Sequence, residues 1–219
     1  MQPDLPFDDP LPEQRAPERR TFERRPSTVS PWHPPIPGLE MKRLDRLFFA
    51  LRLGPQAGSR ALEIGSRIRP QAGRSGSWTG LDRLHATLHM ADETEGLRQS
   101  RVAMALEAGA MIRLPAFDVA FGRLDAWPDG AGGAHLVLLC DVGRLELEAL
   151  RRDLGAAMRQ AGFRRFEKRF DPHVTLRYGG RPLAPREVGP VQWTVQDFAL
   201  IHSQVGLARH DVKRCWPLA

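Results

Sequence analysis

Cysteine is scarce in this chain of 219 residues, which argues against a fold held together by disulfides or by a structural zinc site. The two cysteines, Cys140 and Cys215, lie far apart and belong to no Cys-x-x-Cys pair or other metal-binding spacing. We expect both to be buried as small apolar side chains. The sequence therefore predicts neither a disulfide framework nor a structural zinc site, and its apolar content of 42% is ordinary for a soluble globular protein.

Long apolar runs are also missing, because no stretch approaches the roughly 18 residues that a membrane-spanning helix needs. The first residues, Met-Gln-Pro-Asp, lack the basic start and the apolar segment of a secretory signal. A cytoplasmic protein without a membrane segment is expected. Nothing in the sequence calls for an obligate protein partner, so a monomer is the simplest expectation while the oligomeric state stays open.

Proline is concentrated at one end of the chain, where ten of the nineteen prolines fall within the first 37 positions. Residues 1–40 are therefore predicted to form a disordered or extended tail, and residues 41–219 a single bilobal domain. The tail holds five arginines and seven acidic residues, a net charge of −2. The net charge of the whole chain is +6, so the remainder carries +8. A basic folded part suits a polyanionic partner such as RNA.

The folded part repeats one order of elements, strand, helix and strand, which indicates two similar lobes facing each other. Hydrophobic periodicity predicts helices at 56–69, 95–109 and 144–161. Short apolar runs predict strands at 46–53, 81–90, 114–124, 135–140, 173–178, 191–203 and 209–216. The clearest helix is the third, with an apolar face formed by Leu147, Leu150, Leu154, Ala157 and Met158. These elements predict an α+β fold.

A second strand of each unit carries the same motif, which is His85-Ala-Thr87-Leu88 in the first unit and His173-Val-Thr175-Leu176 in the second. Side chains alternate between the two faces of a strand. The polar faces so predicted carry His85, Thr87 and His89 in the first strand, and His173, Thr175 and Arg177 in the second. Each strand keeps an apolar face for the core.

This pairing of residue types fits the cleavage of a phosphodiester. Histidine titrates near neutrality, so one imidazole can accept a proton while a second, protonated imidazole donates one. A threonine hydroxyl beside each imidazole can donate a hydrogen bond to a phosphoryl oxygen as negative charge builds there. Such a mechanism needs no metal and no cofactor, and the residues alone leave open which histidine is the acid.

The two motifs resemble those of the 2H phosphoesterase superfamily, and within it the RNA 2′,3′-cyclic phosphodiesterases once called 2′-5′ RNA ligases. Three further passages are similar to the same family, namely the opening strand 46–50, the stretch 78–85 and the approach 170–173. The resemblance covers residues 44–216 in order. It implies a pseudo-symmetric fold of two antiparallel sheets flanked by helices around a central cleft.

The resemblance also implies a reaction, the hydrolysis of an RNA 2′,3′-cyclic phosphate to a 2′-phosphate, and in some members the reverse reaction that forms a 2′-5′ linkage. Carried over by position, the general acid is His85 and the general base is His173. Thr87 and Thr175 hold the phosphate. The expected partners are RNA ends or small cyclic nucleotides.

One position departs from the family pattern. Many members have an arginine five residues after the second histidine, where this chain has Tyr178, and its arginine comes one residue earlier, at Arg177. Alternation puts Arg177 on the His173 face, so we expect it to bind the phosphate of the substrate. Three alternatives remain open: a phosphodiesterase acting on another cyclic or 2′-5′-linked nucleotide, an RNA-binding module without turnover, and a structural duplication without a ligand.

Overall fold

A computed structural model describes residues 44–68, 76–167 and 169–219, so the predicted tail, residues 1–40, lies outside the described residues. Within these ranges the chain forms nine strands and three helices. The strands are β1 (Leu44–Arg52), β2 (Ser77–Trp78), β3 (His85–Glu95), β4 (Phe117–Pro128), β5 (Ala134–Val142), β6 (His173–Tyr178), β7 (Arg186–Val195), β8 (Asp197–Gln204) and β9 (Arg209–Pro217). The helices are α1 (Pro55–Ser66), α2 (Gln99–Ala110) and α3 (Arg144–Gln160).

The strands form one antiparallel sheet in the order β7-β4-β5-β6-β3-β1-β8-β9, with the short β2 against β6. This order is symmetric about the junction of β6 and β3, the two strands that carry the histidine motifs. The α+β class is confirmed. The prediction of two separate sheets differs from the structure, because β3 and β6 are bridged through Ala86 and Val174 and so join two four-stranded halves.

The sheet curls strongly, as one short connection shows. Strand β7 is the first in the strand order and β8 the last but one, yet a single residue, Gln196, separates them along the chain. Two residues that flank one linking residue cannot be more than about 7 Å apart. The far half of the sheet must therefore bend back until the end of β7 meets the start of β8.

The core lies between one face of this sheet, called here the helix face, and the three helices. It contains the apolar face predicted for α3, and Leu147, Leu150, Leu154 and Met158 are fully buried there. Alternate strand residues such as Phe49 and Phe121 supply the other side of the same core. The opposite face, called here the open face, carries a second and smaller apolar cluster of Phe48, Ala50, Ala199 and Ile201.

Glycines fix both ends of α3. Gly143 precedes the helix with φ +80°, and a Cβ there would stand 2.2 Å from the backbone oxygen of Asp118, so only glycine fits. Beyond the other end, Gly162 has φ +97° and its N–H donates to the oxygen of Arg159, while Phe163 N–H donates to the oxygen of Met158. These two bonds form a Schellman C-cap.

The described residues also bear on the two cysteines and on membrane insertion. Cys140 is buried, as predicted, whereas Cys215 is exposed on the edge strand β9, contrary to the prediction. Both thiols are free. Across the described ranges, none of the helices combines the length and the apolar character that a membrane crossing requires.

Candidate active site

The first motif begins β3 directly after a turn of 3-10 helix at Leu81–Arg83. That turn leaves the backbone oxygen of Arg83 unused by the helix, and His85 Nδ1 lies 2.7 Å from it. Because a carbonyl oxygen can only accept, Nδ1 of His85 carries the hydrogen. The lone pair, or in the charged form the second proton, is therefore on Nε2.

The second motif repeats this local geometry at the start of β6. His173 Nδ1 lies 2.7 Å from the backbone oxygen of Asp171, again two residues earlier. The same carbonyl contact fixes the same tautomer in both rings. Each histidine thus presents Nε2 as its reactive nitrogen, and both side chains are half-buried on the open face.

The bridge between β3 and β6 brings the two motifs together. Ala86 pairs with Val174 in antiparallel register, and both side chains are buried in the core on the helix face. The same register sets His85 across from Thr175 and Thr87 across from His173, on the open face. Directly opposed residues have Cβ atoms about 5 Å apart. The four motif residues therefore form one compact square.

The electrostatic surroundings of this histidine pair disfavour a positive charge on both rings at once. Burial lowers the pKa of His85 below its ordinary value of 6.5, and the positive charge of His173 lowers it further, against the opposing effect of the Arg83 carbonyl. Burial likewise lowers the pKa of His173. Two interacting imidazoles titrate as a pair, so the singly protonated pair is favoured over the doubly protonated pair.

Each motif histidine also has an aromatic neighbour on the open face. The ring of Phe48, from β1, lies 5.1 Å from the ring of His85. The ring of Trp127, from β4, lies 4.3 Å from that of His173. These rings exclude water from one side of each imidazole and fix its plane, which positions the two Nε2 atoms.

Two further histidines join the site. His210, from β9, meets His85 edge-on with ring centres 5.1 Å apart, and burial together with the charge of His85 lowers the pKa of His210 to about 4. His135, from β5, is close enough for its charge to lower the pKa of His173. Nothing in the sequence pattern singles them out, because neither sits in a repeated context and only long-range strand pairing brings them here.

His89 does not share the face of His85, contrary to the prediction from alternation. In the pairing of β1 with β3, Ala50 pairs with Thr87 and its neighbour Phe49 pairs with His89. Leu88 is therefore left without a partner in β1, which makes it a β-bulge. The bulge turns His89 to the helix face. There its Nε2 lies 2.8 Å from the backbone oxygen of Arg151 in α3, and burial lowers its pKa to about 4.

A matching bulge in β6 displaces Arg177. In the pairing of β5 with β6, Val137 pairs with Thr175 and its neighbour Leu136 pairs with Arg177. Leu176 is therefore the extra residue of this bulge. The Arg177 guanidinium lies 5.3 Å over the ring of Trp78. The expectation that Arg177 shares the His173 face therefore differs from the structure.

The indole under Arg177 locates that side chain. A Cβ on Gly65, in α1, would stand 2.7 Å from the Trp78 ring, so the indole packs closely against this helix. Arg177 thus lies on the helix side of the sheet, away from the four motif residues. Its predicted role in binding the substrate has no support from this placement.

Over the ranges that the structure describes, no cluster of three or more histidine, cysteine, aspartate or glutamate side chains is arranged to hold a metal ion. The four motif residues bring together two imidazoles, from His85 and His173, and two hydroxyl donors, from Thr87 and Thr175. Their arrangement can transfer one proton to a substrate and take one from it, on either side of a group held by the threonines.

Comparison with known proteins places this geometry in a family. A family model described as the 2′-5′ RNA ligase superfamily matches residues 60–207. The structure resembles that of Escherichia coli LigT in its apo form, with 25% sequence identity, a TM-score of 0.63 and coverage of 81% of this chain and 99% of that chain.

Two further solved structures show the same fold. E. coli LigT complexed with 3′-AMP matches with 23% identity and a TM-score of 0.62 over 81% of this chain and 99% of that one. The protein TT0787 of Thermus thermophilus matches with 21% identity and a TM-score of 0.65 over 79% of this chain and 97% of that one. No curated protein sequence matches the chain.

Proposed function

Because the chain belongs to the 2′-5′ RNA ligase superfamily of 2H phosphoesterases, we propose that it hydrolyses 2′,3′-cyclic phosphates at RNA ends to 2′-phosphates without a metal. The observation that carries this proposal is the square of His85, Thr175, Thr87 and His173. Its two Nε2 atoms are free for proton transfer because both Nδ1 atoms are held by backbone carbonyls.

The proposed reaction uses one histidine for each proton. His173 Nε2 takes a proton from water as the water oxygen forms a bond to phosphorus. The bond from phosphorus to O3′ breaks, and protonated His85 gives its Nε2 proton to that oxygen. One water is consumed, and the products are a 2′-phosphate and a free 3′-hydroxyl. We assign the acid to His85 because the resemblance places the family's general acid in the first motif.

The two threonines, at the other two corners of the square, support the same step. Thr87 and Thr175 each place a hydroxyl donor next to the histidine of the other strand. Hydrogen bonds from these donors to the non-bridging phosphoryl oxygens stabilise the charge that develops during attack. If a 5′-hydroxyl replaces water, the same proton transfers form a 2′-5′ linkage and release O3′.

The direct test is turnover of a 2′,3′-cyclic mononucleotide, and of a short RNA with a cyclic end, in the presence of EDTA. We expect a 2′-phosphate product, identified by chromatography against 2′- and 3′-phosphate standards. Formation of a 3′-phosphate, or a strict need for added metal, would contradict the mechanism. Cleavage only of a 2′-5′-linked dinucleotide would favour the related phosphodiesterase, and binding without turnover would favour the RNA-binding module.

The pH dependence of this activity follows from the lowered pKa values of the pair. The active form has one protonated and one neutral imidazole, so kcat/KM should follow a bell-shaped curve. Since burial lowers the pKa of both His85 and His173 below 6.5, raising the pH removes the acid earlier than for exposed histidines. The maximum of kcat/KM is therefore expected below pH 6.5. A curve that is flat from pH 5 to 9 would exclude acid–base catalysis by this pair.

A further inference from the structure

The open face carries a tyrosine at the position where many members of the family that this chain resembles have an arginine. Tyr178 is the fifth residue after His173, and the bulge at Leu176 turns it to the open face while Arg177 turns away. The Tyr178 ring lies 5.2 Å from that of His135, edge to face. An imidazole supported by a phenol ring therefore occupies this side of the site.

The tautomer of His135 is fixed by the backbone. The N–H of Gly179 donates to His135 Nδ1 at 3.1 Å, so Nδ1 has no hydrogen and Nε2 carries it. The turn that presents this N–H needs glycine, because Gly179 has φ +70° and Gly180 has φ +102°. Ala134 N–H donates to the oxygen of Gly180 at 3.0 Å and holds the turn against β5.

His135 therefore has the opposite tautomer to the two motif histidines. His85 and His173 give their Nδ1 hydrogen to a carbonyl and leave Nε2 for proton transfer. His135 accepts at Nδ1 and keeps a permanent N–H donor at Nε2. Val137 of β5 pairs with Thr175, and His135 lies two residues before Val137. His135 is therefore about 7 Å along β5 from the Val137–Thr175 pair.

We propose that His135 is a substrate-binding residue whose Nε2–H donates a hydrogen bond to the phosphate group, in the place of the arginine that many relatives carry. This inference rests on the proposed function for its choice of ligand. A neutral imidazole supplies direction without a full positive charge, so it binds the phosphate while leaving the proton on His85 or His173 undisturbed. Burial lowers the pKa of His135, which favours the neutral form of the ring.

The test compares His135→Ala with His135→Gln, since a glutamine amide can offer an N–H near the position of Nε2. For hydrolysis of a 2′,3′-cyclic nucleotide we expect His135→Ala to lower kcat/KM by about 10- to 100-fold, mainly through KM, as the loss of a hydrogen bond to a charged group implies. His135→Gln should stay within about fivefold of the natural protein. Thermal unfolding of all three proteins separates binding from folding.

A second readout keeps the inference testable without turnover. The dissociation constant of 2′-AMP, measured by calorimetry, should rise about tenfold or more in His135→Ala and change little in His135→Gln. Equal binding by His135→Ala and the natural protein would overturn the proposal, as would equal losses in both variants. If the natural protein binds 2′-AMP through His135 but turns over no cyclic nucleotide, the proposed function fails and the role of His135 stands.

Discussion

Replacing His85 or His173 with alanine is expected to lower kcat for a 2′,3′-cyclic phosphate by about 10²- to 10⁴-fold, the range of a lost proton-transfer group. Each ring is half-buried on the open face with its Nδ1 held by a backbone carbonyl, so alanine removes the reactive Nε2 together with the ring contacts to Phe48 or Trp127. Steady-state hydrolysis, corrected for the folded fraction, measures the loss. Near-natural activity in either variant would sink the two-histidine mechanism.

A matched control lies on the same strand. His89→Gln changes a histidine four residues from His85 that the bulge turns to the helix face, where it contacts the backbone of Arg151. Its activity per folded molecule should stay within about threefold, even where its stability falls. The variant that lacks both His85 and His173 should lose little more than either single variant, because residues that act as one unit are not additive.

The acid and the base can be told apart with a nucleotide 4-nitrophenyl ester. Its leaving phenolate needs no proton, so loss of the general acid costs little on this substrate. If His85 is the acid, His85→Ala should recover most of its activity there, while His173→Ala should not. The reverse pattern would exchange the two roles and leave the site itself unchanged.

Replacing Leu154 with alanine is expected to destabilise the protein by about 2–5 kcal/mol, the cost of a cavity in a packed core. Leu154 is fully buried in α3 beneath the sheet. Leu145 is the control, since it belongs to the same helix and is 77% exposed. Leu145→Ala should change the free energy of unfolding by less than about 0.5 kcal/mol.

Chemical denaturation of the two leucine variants measures the difference. A loss near 3 kcal/mol lowers the melting temperature of a domain of this size by about 6–12 °C. Equal effects of Leu154→Ala and Leu145→Ala would contradict the burial of one face of α3. They would also remove the basis for placing the helices on the face opposite to the motif residues.

The elements that local pattern could predict are those with strong periodicity or a repeated motif. The helix predicted at 144–161 is observed at Arg144–Gln160, and the strand predicted at 173–178 is observed at His173–Tyr178. The strand predicted at 191–203 is in fact two, because Gln196 separates β7 from β8. Neither glycine nor proline marks that break, and only the different partners of the two strands explain it.

The site was predictable where it depends on alternation within a strand, and unpredictable where it depends on the partner strand. Thr87 and Thr175 follow from spacing, since each lies two residues from its histidine. The bulges at Leu88 and Leu176 arise from the registers with β1 and β5, which a single sequence does not encode locally. They decide the faces of the residues that follow, and His135 reaches the site through the same pairings.

The pairing of β1 with β8 also decides when the sheet can be completed during synthesis on the ribosome. Phe48 is among the first residues of the sheet to be made, but its partner Ile201 follows about 150 residues later. At about 5–20 residues per second, this edge of β1 waits roughly 8–30 seconds for β8. An unpaired apolar edge invites association with other chains. Nascent chains that stall before β8 therefore keep this edge of β1 exposed to other chains.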